Sequence, residues 1–110
     1  MDSYKKLLLG NQALFAQQGT DSSVLPDTTV HYAGERYFSS VRQLTFGGDN
    51  AEAYFSFDGK WLIFQRTNPK DGTPCDQQFI GKVPAAGEKF EYRLVSTGKG
   101  RTTCGAFLKD

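Results

Sequence analysis

Arg42-Gln43-Leu44-Thr45-Phe46-Gly47 is echoed further along the chain by Arg93-Leu94-Val95-Ser96-Thr97-Gly98, and this pairing decides how the sequence is read. Leu44 aligns with Val95 and Gly47 with Gly98, an offset of 51 residues. Downstream, Phe55-Ser56-Phe57-Asp58 aligns with Phe107-Leu108-Lys109-Asp110 at an offset of 52, so one residue is added in the intervening loop. A recurrence of about fifty residues is the mark of a stacked array, in which each unit has faces that its neighbours cover. At least about three units are normally needed for such an array to be stable, and this sequence supplies about one and a half.

Between the two copies the residues predict strands joined by short links. Residues 51–57 alternate, with Ala53, Phe55 and Phe57 on one side and Glu52, Tyr54 and Ser56 on the other, which is the period of a strand. Asp58-Gly59 follows at once, a dipeptide that tolerates positive φ at both central turn positions and closes a hairpin onto residues 61–65. Residues 67–74 read as a loop because Pro69, Gly72 and Pro74 do not continue a ladder. A third strand is expected over 77–83, a turn at Pro84-Ala85-Ala86-Gly87, and a fourth strand over 90–96. Upstream, residues 35–45 are rich in β-formers and are broken by Phe46-Gly47-Gly48-Asp49-Asn50. The predicted fold class is all-β, a four-stranded antiparallel meander.

The amino-terminal end reads differently. Lys5 and Lys6 precede an apolar stretch ending Ala13-Leu14-Phe15-Ala16, which is the order of a secretory signal, although Asn11 and Gln12 interrupt it. The alternative is a short amphipathic helix over residues 4–17, with Leu8, Gln12 and Phe15 near one face. Residues 1–19 are therefore expected to be signal-like, helical or disordered. Residues 20–34 follow as a linker, on the strength of the Ser, Thr, Asp and Pro of 20–27. The folded part is expected over 35–110.

Thirteen Lys and Arg against 12 Asp and Glu give a formal charge of +1, with no broad pull toward nucleic acid or an anionic membrane. No apolar run approaches the roughly 20 residues that cross a bilayer. Gly98-Lys99-Gly100 lacks the upstream Gly and the following Ser or Thr of a phosphate loop. There is no Gly-x-Ser-x-Gly elbow, and the single His31 has no cue tying it to a nucleophile, so no catalytic residue is assigned. Asp49, Glu52, Asp58, Asp71 and Asp76 lack the spacing of a calcium loop, and neither a metal nor a cofactor is expected. Cys75 and Cys104 form no C-x-x-C pair; they are either one disulfide of an oxidising compartment or two buried thiols.

Residues 42–48, Ala51-Glu52-Ala53-Tyr54-Phe55-Ser56-Phe57-Asp58-Gly59-Lys60 and Leu62-Ile63-Phe64-Gln65 resemble the WD-repeat-like blades of TolB-type β-propellers. Cys75-Asp76-Gln77-Gln78-Phe79 is similar to the aspartate-led third strand of those blades, and residues 96–104 are similar to the lead into the next blade in bacterial exported members. Phe57 and Lys109 depart from the family, which usually has Pro before the Asp-Gly turn. The resemblance covers roughly residues 35–110 and implies one blade over 51–96, with the start of the next at 97–110. It makes 51–56 the innermost strand and 37–45 the outermost strand of the ring's last blade, left here with an unpaired edge.

By the same resemblance the protein is a non-catalytic binding scaffold, exported to the periplasm or beyond, whose partners are proteins or neighbouring blades. The alternative is the gating propeller of a prolyl-oligopeptidase-type serine peptidase. Loops 46–52, 67–74 and 97–103 should cluster on one face of such a propeller, making Asn50, Glu52, Asn68, Asp71, Lys99 and Arg101 the candidate partner-binding residues. Cys75 and Cys104 would lie near that face, as a candidate disulfide. A lone blade with bare faces is expected to self-associate.

Overall fold

The computed structural model describes the backbone of β1 (Lys5–Leu9) and residues 30–109. The remaining strands are β2 (Ser40–Thr45), β3 (Asp49–Phe55), β4 (Trp61–Asn68), β5 (Thr73–Lys82) and β6 (Tyr92–Leu94). The described part is all-β apart from a single 3-10 turn at Pro69–Asp71. Strands β3 to β6 form one open antiparallel sheet in chain order, the meander expected from the sequence.

Three local features differ from expectation. First, β4 and β5 run further toward each other than the composition of 67–74 suggests. Asn68 caps the 3-10 turn by accepting from the Lys70 amide at 3.2 Å, Pro69 sits where a helical turn tolerates it, and Gly72 adopts φ 86° at the exit. Pro and Gly are thus absorbed by a single turn, and the ladder resumes with Asn68 opposite Thr73.

Second, the hairpin after β3 has positive φ at Gly59 alone, at 69°. The Ser56 carbonyl accepts from the Gly59 amide at 2.8 Å, while Asp58 Oδ1 accepts from Ser56 Oγ at 2.6 Å and from the Lys60 amide at 3.0 Å. The Asp side chain stabilises the turn through these bonds, so only the glycine needs the left-handed region.

Third, one edge of β2 is paired within the chain. β1 pairs with it in parallel, Lys5 opposite Ser40 and Leu8 opposite Gln43. Lys5–Leu9 is accordingly extended where a helix over 4–17 was one expectation. The rest of the signal-like segment and residues 20–29 of the linker lie outside the described residues. At the linker's end the Val30 amide donates to the Val41 carbonyl at 2.8 Å, tying it to β2.

Because side chains alternate along a strand, Leu62, Phe64 and Arg66 of β4 share one face with Gln77, Phe79 and Gly81 of β5. This face carries the apolar core of Leu44, Leu62, Phe64, Phe79 and Phe90, with Val83 and Tyr92 packed against it. Phe64 is completely buried, its ring 5.9 Å from that of Phe79, 5.8 Å from Phe90 and 5.2 Å from Tyr92. Burying a side chain of this size stabilises by about 1.5–3 kcal/mol, and favourable ring contacts add to it. Leu44 brings β2 over this face, and Arg42 fixes the strand by donating to the Pro84 and Ala85 carbonyls at 2.9 and 2.8 Å. At Gly81 a Cβ would fall 2.6 Å from both the Phe90 ring and the Glu91 carbonyl, so only glycine lets Phe90 reach the core.

Candidate partner-binding face

The β3–β4 register sets Asp49 opposite Thr67 and Asn50 opposite Arg66, which brings loop 46–52 against loop 67–74. Asn50 Nδ2 donates to the Gly47 and Gly48 carbonyls at 3.2 and 3.4 Å and holds its own loop closed. Asn68 Nδ2 donates to Asp71 Oδ2 at 3.1 Å, and the same oxygen meets Arg66 Nη2 at 2.5 Å. Arg66 is buried, with its guanidinium 5.8 Å from the centre of the Phe79 ring and 5.7 Å from that of Tyr92. Burial works against this cation, but Asp71 and the Tyr92 hydroxyl more than offset it, and the pKa lies above the ordinary guanidinium value. The hydrogen bond and charge of Arg66 hold the Asp71 carboxyl below its ordinary value. Thr45 Oγ1, Asn50 Oδ1 and Arg66 Nε are buried with no hydrogen-bond partner among the described residues.

The third loop reaches the same end through two neighbouring glutamines that point to opposite faces. Buried Gln77 accepts from Ser96 Oγ at 2.7 Å and from the Gly98 amide at 3.0 Å, and donates to the Gly100 carbonyl at 2.7 Å. The chain then passes round the edge of β5 to the other face. There Gln78 donates to the Thr102 carbonyl at 3.1 Å and accepts from the Gly105 amide at 3.2 Å. The Thr102 amide donates to the Asp76 carbonyl at 2.8 Å, and Gln65 Oε1 accepts from the Cys104 amide at 3.4 Å. Asp76 accepts from Thr67 Oγ1 at 2.5 Å and pairs with Arg101 Nε at 3.3 Å. A Cβ on Gly105 would lie 2.5 Å from Gln78 Oε1 and 2.7 Å from Ile63 Cδ1, so the segment lies flat on the sheet.

Loops 46–52, 67–74 and 97–103 therefore meet at one end of the sheet. Between the last two is a shallow cavity of about 100 Å³, lined by Gly72, Thr73, Cys75, Gln77, Leu94 and Gly98 among others. Lys99 and Arg101 are exposed beside it. Glu52 is also exposed and accepts from the Tyr54 hydroxyl at 2.7 Å, which raises the tyrosine pKa. Asn50, Asn68 and Asp71 are engaged within their loops, leaving Glu52, Lys99 and Arg101 as the more outward groups. Among the described residues no cluster of three or more His, Cys, Asp and Glu could hold a metal ion, and no helix is long and apolar enough to cross a membrane.

Cys75 and Cys104 are both free thiols in this structure. Cys75 lines the cavity with Gln77, whereas Cys104 lies along the opposite face beside Gln65. The two-residue period of β5 separates them.

Backbone conformation repeats along with the sequence. Gly47 and Gly98 have φ 73° and 77°, and Gly48 and Gly100 have φ 69° and 64°. Glu52 and Cys104, at φ 49° and 57°, are the described non-glycine residues with positive φ. Gly98 follows Gly47 by 51 residues, whereas Gly100 and Cys104 follow Gly48 and Glu52 by 52, so the added residue falls at Lys99. In β3 the left-handed Glu52 sits within a bulge where the register with β4 shifts between Ala51 and Tyr54. Compared with known protein families, curated proteins and solved structures, the chain matches none.

The residues that organise this end most strongly, Gln77, Gln78 and Arg66, were not among the predicted site residues. Their signal was present: adjacent glutamines lead into the apolar strand Phe79-Ile80, and an Arg ends the apolar run of β4 five residues before an Asp.

Proposed function

We propose that the chain is a unit of a blade-repeat array of the TolB-like propeller kind, serving as a non-catalytic scaffold for protein partners in the cell envelope. Its partner-facing surface is the loop end bearing Asn50, Glu52, Asn68, Asp71, Lys99 and Arg101. The observation that carries this reading is the recurrence of left-handed backbone at Gly47 and Gly98, Gly48 and Gly100, and Glu52 and Cys104. The same left-handed positions thus recur first along β3 and the loop that leads into it, at the outer edge of a four-stranded sheet, and then in residues 98–104, which cross that sheet's face. One blade followed by the opening strand of the next would have this arrangement. Further support comes from the two covers: β2 lies on one face and residues 101–105 on the other, as neighbouring units would.

Sedimentation and thermal unfolding over a hundredfold range of protein concentration test the array reading. Association with a midpoint that rises with concentration is expected, because exposed Tyr54, Phe55, Phe57 and Leu108 lack covering neighbours. A monomer with a sharp, concentration-independent transition overturns it. For the binding surface, the double substitution Lys99→Glu and Arg101→Ala should weaken capture of purified envelope proteins about tenfold, with stability lowered by less than about 1 kcal/mol through loss of the Arg101–Asp76 bridge. Equal capture would move the surface elsewhere.

A further inference from the structure

The sequence holds two Asp-Gly pairs. Asp58-Gly59 lies in the hairpin turn between β3 and β4, and Asp71-Gly72 closes the 3-10 turn before β5. In such a pair the glycine nitrogen can attack the preceding carboxyl carbon, because no glycine side chain shields it. At Gly59 and Gly72 alike a Cβ would meet nothing within 4 Å, so space does not separate the two. The hold on each carboxyl does. Asp71 meets Arg66 at 2.5 Å, and that arginine is 4% exposed, with its guanidinium against Phe79 and Tyr92. Asn68 and the Thr73 side chain bond the same carboxyl. Turning it toward Gly72 would strand a buried cation. Asp58 is held only from within its own turn, by Ser56 Oγ at 2.6 Å and the Lys60 amide at 3.0 Å, with the Lys60 ammonium 3.7 Å away. The Asp58 and Lys60 side chains are 53% and 70% exposed, so water takes over from these partners when the turn opens. The glycine amides rank the other way, Gly59 donating to Ser56 at 2.8 Å and Gly72 to Pro69 at 3.3 Å, but a neutral bond in an exposed turn is a smaller barrier than the loss of a buried ion pair.

We propose that Asp58-Gly59 is a site of spontaneous isomerisation to isoaspartate, and that Arg66 protects Asp71-Gly72 from the same reaction. The Gly59 nitrogen bonds to Asp58 Cγ, the carboxyl hydroxyl leaves with the amide proton as water, and a succinimide ring closes. Water then opens the ring. Addition at Cγ restores aspartate; addition at the main-chain carbonyl breaks its bond to nitrogen and leaves the chain running through Cγ. One water is released and one consumed. The isoaspartate product carries an extra methylene in the main chain and its carboxylate on Cα, so Ser56 and Lys60 lose their acceptor. β3 stands at the end of its sheet, and this turn ties it to β4, so the modification loosens β3 first.

The test is incubation of the folded chain in heavy-oxygen water at mildly acid pH, where a neutral carboxyl is the better electrophile, followed by digestion and electron-transfer fragmentation. Either ring opening leaves one heavy oxygen on the reacting residue, and the fragmentation identifies isoaspartate. Asp58 should take up label about tenfold faster than Asp71. In urea the two rates should converge, since both residues precede glycine. Ser56→Ala, which frees the Asp58 carboxyl, should raise labelling there several-fold and leave Asp71 unchanged. The purified isoaspartate form should exchange the Ser56 and Gly59 amides faster while those of β5 stay protected. Equal rates in the folded chain, faster labelling at Asp71, or a ratio that persists in urea would each overturn the proposal.

Discussion

The two faces of the β3–β6 sheet are covered by different physics. On one, Leu62, Phe64, Phe79, Phe90 and Leu44 make a continuous apolar contact, and β2 is bound by loss of water from large side chains. On the other, residues 101–105 are bound through Gln65, Asp76 and Gln78, with Ile63 alongside, so attachment depends on directed hydrogen bonds. Apolar burial is non-directional and scales with area, whereas a hydrogen bond exchanges with water for a net gain of only about 0.5–1.5 kcal/mol. The apolar face therefore carries the stability of the molecule, and the hydrogen-bonded face sets the course of the segment that crosses it.

That contrast is broken most directly at Phe64. Phe64→Ala should cost about 3–5 kcal/mol, as large cavities in aromatic cores do, and urea titration should find the protein largely unfolded. On the other face, Gln78→Ala should cost about 1–3 kcal/mol, because two bonds are lost and the Gly105 amide is left without its partner. Its signature is local: hydrogen exchange of residues 101–105 should accelerate while the amides of β4 remain protected. If β4 exchanges equally fast, the two faces are not separable.

The Arg66–Asp71 pair sharpens the comparison through pH. Asp71 has a folded pKa below its ordinary value, so its contribution is complete above the unfolded carboxylate value of about 3.9 and is lost as pH falls through the lower folded value. Thermal midpoints measured downward from pH 5 should decline for the native chain. With Asp71→Asn the decline should be shallower, from a midpoint already lower by about 1 kcal/mol of stability, since the half-exposed carboxylate is partly screened. The smallest effect is expected at Arg101, whose bridge to Asp76 is largely exposed. Arg101→Ala should change stability by less than about 1 kcal/mol, and high salt should erase the difference.

Strand positions were legible because alternation and turn residues are local signals. Residues 51–57 announced β3 and its hairpin, although the Glu52 bulge broke the simple alternation and left Phe57 72% exposed in the turn. The loop at 67–74 is shorter than its composition suggests, because composition does not reveal that one capped 3-10 turn can absorb both Pro69 and Gly72. In the candidate site, Asn50, Asn68 and Asp71 were found as loop residues, but their bonds to Gly47, Lys70 and Arg66 depend on side-chain direction, which spacing does not give. Gln77 and Gln78 are visible in the sequence as a polar pair ahead of an apolar strand, but their role depends on which segment comes within hydrogen-bond reach.

The sequence by itself determined the all-β meander, its order and its internal echo, since each depends on periodicity and turn chemistry within a few residues or on comparing one stretch with another. Only the tertiary structure decided that β1 would pair with β2, that Cys75 and Cys104 would lie on opposite faces, and that residues 101–105 would cross the sheet held by Gln65, Asp76 and Gln78. Those outcomes depend on which groups meet across the sheet. Burial and hydrogen bonding act between residues far apart in the chain, and a linear pattern carries no record of that distance.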